Sequence, residues 1–189
     1  MNTTRGPDHD DDDGLRLRPF AEDELTVLDR IRAEPGASGS FQWFGWTDPE
    51  AWRRQWAEDR LLGRDQGKLL VVRGAERMGL VSWRRIDINP LTHSFCWNIG
   101  IVLLPEARGR GVGARAQRML AQYLFAHSPV TRVEADTEAE NTAERRALEK
   151  AGFTQEGVLR SIVFRDGRWR DAVLYSILRH EIEDSEKES

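Results

Sequence analysis

Leu104-Pro105-Glu106-Ala107-Arg108-Gly109-Arg110-Gly111-Val112-Gly113 places a proline stop, two arginines and three glycines between a strand-like run and a helix-like run. Closely spaced glycines let the backbone curl until successive N–H groups point the same way, and the helix that follows adds unsatisfied N–H groups and a positive dipole end. The pattern suits a phosphate-bearing ligand. Upstream, Phe95 to Leu104 is apolar and β-branched enough for a mostly buried strand that Pro105 terminates. Downstream, Val112, Ala116, Met119, Leu120, Tyr123 and Leu124 recur at helical spacing. A parallel strand, Val130 to Asp136, follows the break at His127-Ser128-Pro129 and completes a βαβ crossover.

The 189 residues suit one domain with a full core, and the formal charge of −4 is unevenly spread. Five acids against Arg5 in residues 1–14, and five against Lys187 in residues 181–189, put −4 on each end and leave +4 on the body. Solvated, disordered acidic tails around a single domain over 15–180 are therefore expected. A mildly basic body without a basic stripe fits a small phosphate-bearing molecule and argues against a nucleic-acid partner. With no apolar h-region at the start and no stretch long enough to span a bilayer, a cytoplasmic protein without a membrane partner is expected. Cys96 is the only cysteine, which excludes an internal disulfide, and mid-strand it reads as a small core residue. His9, His93, His127 and His180 are scattered without metal-ligand spacing, so no metal is expected.

Outside the crossover, the pattern predicts a short strand at Leu15 to Pro19 and a helix from about Glu22 to Arg32 ended by Pro35-Gly36. A second helix is predicted from near Pro49 to Leu62, capped by Thr47 or Asp48, with Trp52, Trp56 and Leu61 on its apolar side. Lys68 to Val72 and Met78 to Arg84 read as a hairpin. A helix over Thr142 to Ala151 precedes two strands, about 157–165 and 168–178, joined at the hairpin signal Asp166-Gly167. The expected product is an α/β (α+β) mixed sheet with helices on its faces.

The glycine loop admits more than one owner. Gly109-x-Gly111-x-x-Ala114, with Glu134 about twenty residues on, meets a loose dinucleotide fingerprint, but the chain leaves no room for a second mononucleotide half. By contrast, Arg108-x-x-Gly111-x-Gly113 after a Pro-Glu-terminated strand, followed by Asn141-Thr-Ala-Glu-Arg-Arg-Ala-Leu-Glu-Lys-Ala-Gly152-Phe153, resembles the two acetyl-CoA motifs of the GNAT N-acetyltransferase superfamily. Glu156-Gly157-Val-Leu-Arg, Arg165-Asp166-Gly167-Arg-Trp-Arg-Asp171 and Tyr175-Ser-Ile-Leu resemble its Rim-type branch, named for ribosomal-protein N-terminal acetyltransferases. The resemblance covers about residues 15–180.

That resemblance implies the GNAT fold and acetyl-CoA as co-substrate, without a metal. The acceptor would be a primary amine on a protein or peptide N-terminus, or a small amine such as an antibiotic, and a homodimer is a further expectation. It assigns the CoA pyrophosphate to Arg108, Gly109, Arg110, Gly111, Val112 and Gly113. The pantetheine falls to Ile101, Val102 and Leu103, as an added strand, and to Asn141 in a gap where two strands part. Relatives often carry a tyrosine where this chain has Leu148, a serine at Glu144 and a glutamate at Asn98. Those departures keep a non-catalytic acyl-CoA-binding or sensor domain as the alternative.

Glu144 is the catalytic candidate, although Asn141-x-x-Glu144 also has capping-box spacing. Glu134, Asp136 and Glu138, which alternation puts on one face, and His93 are further candidate bases. Trp43 and Trp46, with Phe41 and Phe44, are candidates for walling the acceptor pocket, to which Asn98 is also assigned. Arg160, Arg165, Arg168 and Arg170 read as solvated hairpin residues.

Overall fold

The computed structural model describes residues 14–33, 35–89, 91 and 94–182. Both expected acidic tails, save Gly14, Glu181 and Ile182, and His93 lie outside these residues. Seven strands form one sheet in the order β1-β2-β3-β4-β5-β7-β6. They are β1 (Leu15–Arg18), β2 (Gln66–Arg73), β3 (Glu76–Asn89), β4 (Ser94–Leu103), β5 (Arg132–Glu138), β6 (Thr154–Arg165) and β7 (Arg168–Leu178). Every neighbouring pair is antiparallel except β4 and β5. The helix between those two, α4 (Val112–His127), is the predicted crossover.

Alternation along β4 sorts its side chains onto two cores. Trp97, Ile99 and Ile101 join Ala116, Leu120 and Leu124 of α4 and Leu148 of α5 (Thr142–Lys150). On the opposite face, Val102 and Leu104 meet Leu25, Leu28 and Ile31 of α1 (Leu25–Ala33), together with Trp52 and Trp56 of α3 (Ala51–Asp59). Between them, Pro35–Ser38 opens a short helix, α2, where a helix stop was expected, because proline suits a first helical turn as well as it ends one.

α3 begins later than its pattern predicts. Its cap position is Glu50, while Asp48 stays outside and accepts a hydrogen bond from the Glu50 N–H at 2.9 Å. It ends at Asp59 because Arg60 and Leu61 both turn left-handed, at φ 59° and 62°. The turn lays the Arg60 guanidinium 3.8 Å from the Trp56 ring centroid and buries Leu61 completely. Gly79 permits the close approach of β3 to the end of β4, since a Cβ there would fall 2.2 Å from the Val102 carbonyl oxygen. Asp166 and Gly167, at φ 52° and 74°, form the predicted hairpin turn. The packed body runs past the expected boundary at residue 180, because a helical turn over 179–182 delivers Ile182 to the core. Among the described residues, no helix is long and apolar enough to cross a membrane.

Candidate active site

β4 and β5 pair only from Trp97–Val133 to Ile99–Ala135 and then part. Ile101, Val102 and Leu103 line the cleft that opens, a cavity of about 510 Å³ whose far wall is Asn141, Ala143, Glu144 and Ala147. An extended ligand laid there can take up peptide groups of β4 as a neighbouring strand would.

The glycine loop closes one end of this cleft. Pro105 to Ala107 make a 3-10 turn, and Arg108 folds back so that its Nε donates to the Leu103 carbonyl at 3.0 Å. Gly109 and Gly111 take φ of 72° and 76°, with no atom within 4 Å of where a Cβ would sit. α4 then starts with Gly111 at its cap position and no side-chain acceptor for its first N–H groups. Those groups and the helix dipole favour an anion. Arg108, Arg146 and Lys150 line the same cavity and add positive charge. An open strand edge, uncapped amides and three cations fit a long thioester cofactor that ends in phosphates. Two expected members do not line the cleft. The Arg110 guanidinium lies 3.5 Å from a Glu76 carboxylate oxygen, and Val112 is fully buried in the α4 core, so these two can offer only backbone.

Asn141 caps α5, its Oδ1 accepting from the Glu144 N–H at 3.3 Å, while its Nδ2 donates to Thr137 Oγ1 at 3.0 Å. The reciprocal half of the capping box is not formed, because the Asn141 N–H donates to the Glu138 carbonyl at 2.9 Å. Freed from the cap, the Glu144 carboxyl is half-buried at the cleft wall and hydrogen-bonded to Gln117 of α4. Burial pushes its pKa up to about 7, against the opposing hydrogen bond. Gln117, 1% exposed, also donates to the Gly113 carbonyl at 3.2 Å. Leu148 is wholly buried in the core.

A second cavity of about 690 Å³ shares Ser38, Gln42 and Val102 with the first. Trp43, Phe44 and Trp46 line it, and the two indoles meet edge-on with centroids 5.0 Å apart. Phe41 lines the first cavity instead. Asn98 lines neither, contrary to its expected role. It is buried, accepting from Arg84 Nε at 3.3 Å and donating to Asp136 Oδ1 at 2.9 Å, because the register sets it in a cross-strand row with Arg84 and Glu134.

Glu134, Asp136 and Glu138 do share that face, yet none of the three lines either of these two cavities. Glu134 is paired with Arg132 at 2.7 Å, and Glu138 is held by Arg165 through two bonds of 2.6 and 2.8 Å. Arg165 is therefore buried rather than solvated, whereas Arg160 and Arg168 are exposed. The polar residues not anticipated in the cleft include Ser38, Gln42, Arg146 and Lys150, and Gln117 bonds Glu144 at its wall. Only Arg146 and Lys150 left a signal, a helical spacing of three and four residues from Ala143 through Ala147 that the capping pattern overshadowed.

A family model described as an acetyltransferase (GNAT) domain matches residues 14–154. The probable N-acetyltransferase YjcK of Bacillus subtilis is 35% identical over 101 residues, covering 53% of this chain and 54% of that protein, so the match spans about half its length. The putative ribosomal N-acetyltransferase YdaF of the same organism is 31% identical over 133 residues, 70% of this chain and 67% of that protein. The solved structure of spermidine N-acetyltransferase from Vibrio cholerae, in complex with CoA and spermine, superposes with a TM-score of 0.75 at 20% identity, covering 89% of this chain and 97% of that one. Three-quarters of the chain within the family model, together with the likeness to YdaF, settle the matter: the chain belongs to the GNAT acetyltransferase family.

Proposed function

We propose that this chain transfers an acetyl group from acetyl-CoA to a primary amine in the cytoplasm. The observation that carries the reading is the meeting of two cavities at Ser38, Gln42 and Val102, one with an open strand edge and an uncapped helix start, the other with aromatic walls. Acetyl-CoA supplies the activated thioester. Ile101 to Leu103 orient its arm, and Arg108, Gly109, Gly111 and the first turn of α4 bind its phosphates, with Arg146 and Lys150 adding charge. Backbone N–H groups near the end of β4 support negative charge on the acyl oxygen.

An alkyl ammonium has a pKa of about 10, so the second cavity has to favour the neutral amine by withdrawing it from water. In this reading Glu144, protonated below about pH 7, gives its carboxyl proton to the departing sulfur as the C–S bond breaks, and the carboxylate left behind takes back the proton that the acylated nitrogen sheds. The test is acetyl-CoA-dependent mass gain across a panel of peptides, amino acids, polyamines and aminoglycosides, with thiol release measured in parallel. Stoichiometric release of thiol and an acetylated amine support the reading. Tight binding of CoA without turnover on any amine overturns it.

A further inference from the structure

Arg32 of α1, Lys68 of β2 and Trp52 of α3 converge on the second cavity from three different elements. The Arg32 guanidinium lies 5.0 Å, and the Lys68 ammonium 4.4 Å, from the centroid of the same indole. Their hydrogen-bond partners are neutral: Arg32 donates to Thr47 Oγ1, and Lys68 to Gln55 Oε1 at 3.2 Å. Among the described residues one acid lines this cavity, Asp29, and it is already held by Arg53. Asp48 is likewise held by Arg54, and among the described residues neither Arg32 nor Lys68 has a carboxylate at ion-pair distance.

Two like charges are thus gathered around one ring in a partly dry setting. Burial holds both groups below their ordinary pKa; the fields of Asp48 and Asp29 at Arg32, and of Asp59 at Lys68, offset this only in part, and the Arg32 guanidinium lowers the ammonium further. Cation–π contact with a single ring offsets only part of that cost. The Trp52 indole N–H, buried and without an acceptor, adds a third donor to a place short of acceptors. A carboxylate entering the cavity would answer the two cations.

We infer that the second cavity recognises an amine acceptor that also carries a carboxylate, with Arg32 and Lys68 binding that carboxylate and Trp43 and Trp46 covering the acceptor's apolar part. The inference rests on the acetyl-transfer reading and names its acceptor class. Lys68 pairs with Ser82, which pairs with Gly100 two residues before Val102 at the junction of the cavities. Two strand spacings set the Lys68 backbone about 10 Å from β4. Lys68, Ser82 and Val102 all line the second cavity, which therefore spans that gap from the cation pair to the junction. A polyamine such as the spermine bound by the Vibrio relative would bring positive charge against positive charge here.

The experiment compares matched acceptors with and without the carboxylate: L-phenylalanine against L-phenylalaninamide, and Asp-Phe-amide against Asn-Phe-amide, with spermidine as a third arm. Amidation lowers the pKa of an α-amine, so intrinsic reactivity favours phenylalaninamide and a preference for the acid has to come from the protein. The expected result is a kcat/KM at least about tenfold higher for the acid member of one pair, the pair itself showing whether an α- or a side-chain carboxylate is read. Lys68→Met should narrow that ratio to within about threefold, and Lys68→Glu should reverse it, with acetyl-CoA affinity retained in both. Equal rates within both pairs, or spermidine as the best acceptor, would overturn the assignment. Calorimetric titration of the N-acetylated pairs in the presence of CoA decides the same question without turnover. If no amine is acetylated, the transfer reading fails, while the titration still tells whether the cation pair binds a carboxylate.

Discussion

Glu144 shows how one backbone hydrogen bond can decide the role of a side chain. Its spacing from Asn141 allows a closed capping box, but the Asn141 N–H is taken by the Glu138 carbonyl, so the Glu144 carboxyl turns into the cleft. There burial raises its pKa to about 7. Glu144→Gln keeps the length and polarity of the side chain and removes its proton. The expected outcome is a kcat about 10²-fold lower with acetyl-CoA affinity retained. The wild-type limb near pH 7, where activity falls as the carboxyl ionises, should vanish from the variant's pH–rate profile. A rate within about threefold of wild type, with that limb intact, would move the proton donor to water.

At the scale of elements, the unit that matters is β4, the glycine loop and α4. Pro105 ends the strand, Arg108 ties the loop back to Leu103, and left-handed Gly109 and Gly111 bring the backbone to an uncapped helix start. Gly111→Asp is informative because no atom lies within 4 Å of its missing Cβ. Aspartate tolerates left-handed backbone better than most residues, and its charge suits a helix N-terminus, so the fold should survive. The same carboxylate would occupy the place of a phosphate. Acetyl-CoA affinity should fall at least about tenfold, and less for the uncharged Gly111→Asn, with thermal midpoints close to wild type. Equilibrium titration checks this, and unchanged affinity in folded Gly111→Asp would remove the loop from the binding site.

For the whole molecule, a buried glutamate, Glu24, and a half-buried one, Glu144, set opposite slopes of stability against pH. Glu24, 3% exposed, receives two 2.6 Å hydrogen bonds from Arg18, one from the Ala21 N–H and one from Arg77 Nε, joining β1, β3 and the start of α1. The Arg18 contact, ahead of the others, draws its pKa down to about 2. Its contribution is present above the ordinary carboxylate range near 4.5 and is lost as pH falls towards 2. Glu144 works the other way. Its raised pKa means that the folded state favours the protonated form, a contribution complete below about 4.5 and lost as pH climbs through 7, on the order of 3 kcal/mol. Urea midpoints at about pH 3, about pH 4.5 and about pH 8 should therefore separate the variants. Glu144→Gln should gain on wild type at the highest pH, and Glu24→Gln should lose most of its deficit at the lowest. Curves parallel to wild type across the three conditions would contradict both assignments.

By itself the sequence determined the βαβ crossover, its glycine loop and the Asp166-Gly167 hairpin, because each depends on periodicity or turn chemistry within a few tens of neighbouring residues. The family resemblance pointed to Ile101 to Leu103 and Asn141, and the aromatic cluster to Trp43 and Trp46, and these residues line the two cavities. Only the tertiary structure decided what those residues meet. Asn98 was lost to the acceptor site because Arg84 and Asp136 reach it from the two flanking strands. Glu138 was lost as a base because Arg165 arrives from an edge strand 27 residues away. Arg32, Trp52 and Lys68 come together from two helices and a strand, and nothing in their separate spacings announces a shared ring. Local pattern sets which elements form, but register and crossover set which side chains share a dry space, and there the energies of charge and hydrogen bonding are largest.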